Sequence, residues 1–262
     1  MAEIQRIPKS AQRWEANDLL AFNIHTVPED TATFFGGDPN LPEPTVDPAF
    51  LEHVERPPGP LLGDTAMVFG SLRALLNEKE PSEGSITDFT QHLLSMLNYG
   101  VPGRLLKRRR GILFQVCGKT VRAEPKISFM ALNRGCDLLV HTVEPTSTLN
   151  PEPRLIAEAI AAFSDWQDIQ QAAGQELLRH KEIAGIIMRG TAPTFYKIVV
   201  TKELLQSVGD ATYPDQPTFV HKLRPPVHDI AKYFKEGLQT LDNRRVIMQC
   251  FEAFKRCLPY DR

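Results

Sequence analysis

The spacing of apolar residues divides the chain into a helical first part, a strand-rich middle and a helical end. Residues 65–76 put Ala66, Phe69, Leu72 and Leu76 on one face, the stripe of an amphipathic helix. A second helix follows, capped by Thr87 or Asp88, carrying Phe89, Leu93, Leu94 and Leu97 and ending at Gly100. The period then changes. Residues 112–117 (ILFQVC) read as a strand, Gly118-Lys119 as a turn, and 121–132 as the return strand, with Pro125 forcing an edge position or a bulge. Asn133-Arg134-Gly135 turns the chain into a third strand, 136–143 (CDLLVHTV). Helical spacing returns at 153–163 through Leu155, Ile156, Ala159, Ile160 and Phe163, and the polar run 164–181 continues helical in part.

Residues 184–188 and 195–200 predict a hairpin across 189–194. Thr201 caps a short helix at 202–208, 218–223 is a strand, and Ile247, Cys250, Phe251, Phe254 and Leu258 line a last helix at 241–258. Near the start, 14–22 (WEANDLLAF) predicts a short helix. The stretch from Pro28 to Pro60 is too rich in proline for a long helix or a central strand. Phe34, Phe35, Leu41, Val46, Phe50 and Leu51 punctuate it, as expected of an arm pinned on a folded core. No internal repeat is evident.

Composition narrows the class. The 262 residues are 42% hydrophobic and 24% charged, so the chain can bury a core and is not wholly disordered. A formal charge of −2 argues against a protein that coats nucleic acid, though not against a local basic patch. The sequence holds no apolar run long enough to span a membrane, and the N-terminus lacks the pattern of a signal peptide. The four cysteines show no CxxC spacing and read as reduced and buried, so a cytoplasmic or nuclear protein that is not secreted is expected.

The order α-β-β-β-α-β around residues 87–200 is similar to the core of the PD-(D/E)XK, or restriction-endonuclease-like, nuclease superfamily. The phrases WEANDLLAFNIHTVPEDTATFFG, DFTQHLLSMLNYG, RLIAEAIAAF, GTAPTFYKIVVT and LDNRRVIMQCFEAFK resemble a largely uncharacterised protein family of mushroom-forming fungi (Agaricomycetes), across nearly the whole chain. The resemblance implies an α/β (α+β) fold. Its central mixed sheet would be flanked by helices, with residues 1–60 as an N-terminal helix and proline-rich arm and 61–262 as one nuclease-like domain.

The resemblance also implies a chemistry. In that superfamily an Asp and a Glu at adjacent strand ends hold Mg²⁺ through hard oxygen ligands, and a Lys two residues after the Glu helps the attacking water. Here the pattern departs at each position. Lys126 takes the place of the Asp, Thr142 that of the Glu, and Glu144 that of the Lys. The following helix keeps Glu158, but Arg154 stands where a Gln is expected. The resemblance therefore implies a degenerate site with no metal and no catalytic residue, in a protein that binds a ligand, nucleic acid or a protein partner through its former active-site cleft. A relocated site built from Glu124, Glu144 and Glu158 is the alternative; Mg²⁺ or Mn²⁺ and metal-dependent nuclease activity enter only with it.

Arg104, Lys107, Arg108, Arg109 and Arg110 put five basic residues in seven, a candidate phosphate-binding segment or a solvated loop or helix end just before the first predicted strand. No aromatic residues interleave with them for base stacking. Residues 189–197 (RGTAPTFYK) join two strands with a turn whose amides suit an anion, or serve as a plain connection. The seven histidines form no HExxH or HxH. Cys117 and Cys136 lie near His141 in sequence, a pairing that core packing also explains. Partners remain open between nucleic acid, another protein and a second copy, with no membrane.

Overall fold

The computed structural model describes residues 5–37, 40–131 and 135–258. A 3-10 turn and α1 (Ala16–Ala21) lead into β1 (Ile24–Pro28), α2 (Thr31–Phe34) and α3 (Pro48–Glu52). Then come α4 (Gly63–Asn77), α5 (Glu83–Met96), β2 (Arg104–Arg108), β3 (Ile112–Val116), β4 (Lys119–Ala123), β5 (Ile127–Ala131) and β6 (Gly135–Val143). The chain finishes with α6 (Glu152–Ala172), β7 (His180–Arg189), β8 (Ala192–Thr201), α7 (Lys202–Asp210), β9 (Thr218–Leu223), α8 (Tyr233–Glu236) and α9 (Leu241–Phe254).

Seven of these strands form one mixed sheet in the order β1-β9-β8-β7-β6-β5-β2, flanked by helices. Pairing is parallel at β1–β9 and β6–β7 and antiparallel elsewhere, so β1, β9, β7, β6 and β2 run one way and β8 and β5 the other. Alternation along the strands builds a core on each face. Leu138, Val140, Ile186, Met188 and Phe195 pack with Phe69, Leu93, Phe251 and Phe254 of α4, α5 and α9. Leu139, Val143, Ile187 and Ile198 pack with Ile156, Ile160 and Phe163 of α6 on the other side.

Several predicted boundaries move. Residues Arg104–Arg108 of the basic segment form the edge strand β2, paired with β5, and Arg109 and Arg110 follow it. The expected strand 121–132 breaks at Glu124-Pro125-Lys126: β4 belongs to a separate two-stranded sheet with β3, and β5 to the main sheet. Proline at 125 lacks the donor that would carry the ladder across. Helix α5 starts a turn earlier than predicted, with Ser82 accepting from Ser85 N (3.1 Å); Thr87 lies inside it and donates to Glu83 O (2.7 Å). The 184–200 hairpin is longer than predicted and turns on Gly190-Thr191 alone. Thr201 caps α7, and the last helix gives way to a 3-10 turn at Lys255–Cys257. The predicted turn Asn133-Arg134-Gly135 lies partly outside the described residues, which resume at Gly135.

Phe34 and Phe50, both fully buried, join the first core, with Phe35, Leu41, Val46 and Leu51 packed against it. Arg244 on α9 fastens this stretch. Its side chain, 1% exposed, donates to the carbonyls of Leu238 (2.9 Å), Phe50 (2.9 Å), His53 (2.7 Å) and Val54 (3.3 Å), with the guanidinium 4.6 Å from the Phe50 ring centre. Burial pulls its pKa down to about 10. Three of the four carbonyls end α3, where helical partners run out. Arg244→Met therefore costs about 3 kcal/mol, since hydrogen bonds to a charged group are the stronger class. Urea unfolding checks this, with faster proteolysis between residues 40 and 60 as its companion.

Candidate functional site

Parallel pairing sets β6 and β7 side by side, with Val143 opposite Arg189 at their carboxyl ends. Alternation sends Thr142 to the α5 face, where its hydroxyl meets that of Thr87 at 2.7 Å in a buried contact. Beside it, where β5 begins, Lys126 Nζ lies 2.5 Å from Glu83 Oε1 in the first turn of α5. The structure thus gathers Lys126 and Thr142 around the start of one helix. Glu144, just past β6, lines an open cleft of about 480 Å³ with Glu80, Pro81, Ser82, Thr146, Ser147 and Thr148. Position 126 offers an ammonium already matched to a carboxylate, and position 142 a hydroxyl already matched to another. Such a set does not fit a divalent cation, which takes carboxylates and water.

The other candidate carboxylates lie elsewhere. Glu158, on α6, is fully buried against the opposite face of the sheet, its Oε1 3.4 Å from His141 Nδ1. Glu124 is half-buried and pairs with Arg122 at 3.6 Å. Glu124, Glu144 and Glu158 therefore do not share a site. Among the described residues no group of three or more His, Cys, Asp or Glu side chains is placed to hold a metal. Arg154, a turn before Glu158, has its Nε buried without a hydrogen-bond partner among the described residues.

The basic segment is mostly matched. Buried Arg104 faces Asp137 of β6 at 3.7 Å, and Lys181 of β7 approaches the same carboxylate at 3.6 Å. Arg108 binds Asp88 at 2.8 Å. Arg110 donates through Nη2 to both oxygens of Asp165 on α6 (3.0 and 2.9 Å). Lys107 and Arg109 are exposed, with no carboxylate within ion-pair distance among the described residues. Arg109 leaves the strand in the left-handed region (φ 47°) and donates its N–H to Lys126 O (3.2 Å).

A second cleft, of about 440 Å³, opens on the α6 face at the carboxyl ends of β1, β7 and β9. Glu152, at the start of α6, accepts from the Tyr196 hydroxyl (3.0 Å) and from Lys222 (2.5 Å). Burial, then the nearby Glu152 carboxylate, hold the Tyr196 phenol well above its usual range. Arg189 donates to the carbonyls of Glu144 (3.4 Å), Ser147 (2.6 Å) and Leu149 (3.2 Å), pinning the loop between the two clefts. Phe234, where the chain folds back, has the guanidinium carbons of Arg224 and Arg189 4.7 and 5.6 Å from its ring centre. In the turn expected to cradle an anion, the Gly190 amide donates to Val143 O (3.0 Å), and the Thr191 hydroxyl oxygen accepts from Leu238 N (3.2 Å).

A scan against protein-family models and a search of curated proteins found no match to this chain. Among the described residues no helix is long and apolar enough to cross a membrane.

Sequence inspection missed the Glu152–Tyr196–Lys222 group because its members stand 44 and 70 residues apart from Glu152. One signal was available: Lys222 and Arg224 are cationic positions alternating at the end of β9 and just past it. A cysteine nucleophile finds no support. All four thiols are free, and Cys136 and Cys250 are buried. Burial pushes both from a usual 9.0 up to about 12, whereas a nucleophile needs a depressed value.

Three measurements follow. Cys136 and Cys250 resist a thiol reagent at pH 8 in the native protein and react once it unfolds. Because both folded values are raised, the stability tied to these protons is whole below about pH 9 and is lost as pH climbs toward about 12. Alkaline melting curves should fall over that window and flatten in Cys136→Ala, Cys250→Ala. For the ion pair, Glu83→Gln and Lys126→Met each lower stability by no more than about 1 kcal/mol, since both side chains are partly exposed. A double-mutant cycle by urea unfolding should return a favourable coupling of that order.

Proposed function

We propose that this chain is a non-catalytic protein with a restriction-endonuclease-like core, which binds a partner or ligand rather than cutting nucleic acid. The succession α5, β2, β5, β6, α6, β7 supports the fold reading, with the β3–β4 hairpin inserted between the first two strands. The observation that carries the functional reading is the Lys126–Glu83 contact at 2.5 Å. An ammonium and a carboxylate neutralise each other where a metal-dependent nuclease needs two uncompensated acids.

The surroundings point the same way. The cleft beside this pair is lined by Glu80, Glu144 and four hydroxyl-bearing residues, which repel a phosphodiester and suit a hydrogen-bonding or cationic segment of a protein partner. Carboxylates facing Arg104, Arg108 and Arg110 reduce the charge left to track a phosphate backbone.

The test is an incubation of the full chain with single- and double-stranded DNA and RNA in Mg²⁺ or Mn²⁺. No cleavage is expected, and Mg²⁺ should leave the melting temperature unchanged. Metal-dependent cleavage that vanishes in Glu144→Ala would overturn the proposal in favour of a relocated nuclease site.

A further inference from the structure

The cleft on the α6 face has no part in that reading, and the geometry points to it as a separate binding site for a small organic oxyanion, a molecule carrying a phosphate or carboxylate group. Its walls hold three permanent cations, Arg189, Lys222 and Arg224, against two carboxylates, Glu29 and Glu152. Both carboxylates are engaged. Glu152 takes Lys222 and the Tyr196 hydroxyl, and Glu29 Oε1 lies 2.6 Å from His221 Nδ1. The two guanidiniums are not matched in the same way. Arg189 spends its N–H groups on main-chain carbonyls, which satisfy its hydrogen bonds but carry no net charge. Arg224 stacks at Phe234 and is exposed, and among the described residues neither arginine has a carboxylate within ion-pair distance.

Place and shape agree with the charge. Open sheets with helices on their faces bind ligands in the crevice beyond the carboxyl ends of their strands. Here β1, β7 and β9 end together at Pro28, Arg189 and Leu223. A volume of about 440 Å³ lies within the range of small-molecule sites. Ile187, Ile230 and Phe234 supply an apolar wall, and Asn150 and Thr194 add neutral polar groups to orient a ligand body. Arg224 is the residue best placed to grip the oxyanion, because its planar fork is not spent on the protein.

The experiment is isothermal titration of the full chain with inorganic phosphate and, separately, with malonate, both at constant ionic strength. Saturable binding of at least one probe is expected, weakened about tenfold or more in Arg224→Gln. Arg73→Gln, an exposed arginine on α4, should leave it unchanged. Arg224→Lys keeps the charge without the fork and should fall between wild type and Arg224→Gln. Circular dichroism and the melting temperature confirm that each variant folds. Binding of phosphate alone assigns the site to phosphorylated ligands, and of malonate alone to carboxylates. The inference fails if neither probe binds, if sodium chloride of the same ionic strength reproduces the heats, or if Arg224→Gln binds as wild type does. None of these outcomes bears on Lys126 or Glu83, so the two proposals stand or fall separately.

Discussion

Parallel pairing of β6 with β7 is the constraint on which the rest of this molecule depends. Two parallel neighbours cannot be joined by a tight turn, so the chain must cross over, and α6 is that crossover. The crossover fixes which face of the sheet α6 covers and leaves the other face to α4, α5 and α9. It also forces the connection after Val143 to pass over the strand ends, where Arg189 fastens it through three carbonyls. Both clefts flank that connection. Strand alternation then decides what each one receives: Thr142 turns toward α5, while its neighbour His141 turns toward Glu158 on α6.

The elements that could be read in advance are those densest in buried apolar residues. Helix α6 and strands β7 and β8 are buried on both sides along much of their length and show in the sequence as near-continuous apolar runs. Strand β2 could not be read, since an edge strand with Lys107 and Arg108 in solvent has no apolar alternation to display. Nor could β1, whose short pairing with β9 joins residues nearly 200 positions apart. Charge pairing was equally hidden: nothing local in the sequence says that Arg110 will meet Asp165, or Lys126 Glu83. The candidate positions Lys126, Thr142 and Glu144 were legible in the sequence, but the compensation of Lys126 by Glu83 was visible only in three dimensions.

That compensation has a simple electrostatic form. Glu83 lies in the first turn of α5, where the positive end of the helix already favours a carboxylate, and the Lys126 ammonium adds to that preference. Without that carboxylate the lysine would leave an unmatched charge in a half-buried position. Here the acid it meets comes from the helix rather than from a neighbouring strand. Admitting a divalent ion would require the ammonium to leave, and a second cation beside it would be repelled.

The same accounting gives the basic segment a role that needs no nucleic acid. Strand β2 forms one border of the main sheet, and a border exposes unpaired backbone groups to any strand that approaches. Charged side chains along it deter such pairing, because another strand would have to bury them. Inward-facing Arg104 is held by Asp137, Arg108 reaches Asp88 on α5, and Arg110 reaches Asp165 on α6. The positive run thus ties the border to β6 and to both helical layers, while Lys107 and Arg109 remain in water and guard it. Three of the five basic residues that look in sequence like a phosphate track are thus matched by carboxylates where this sheet ends.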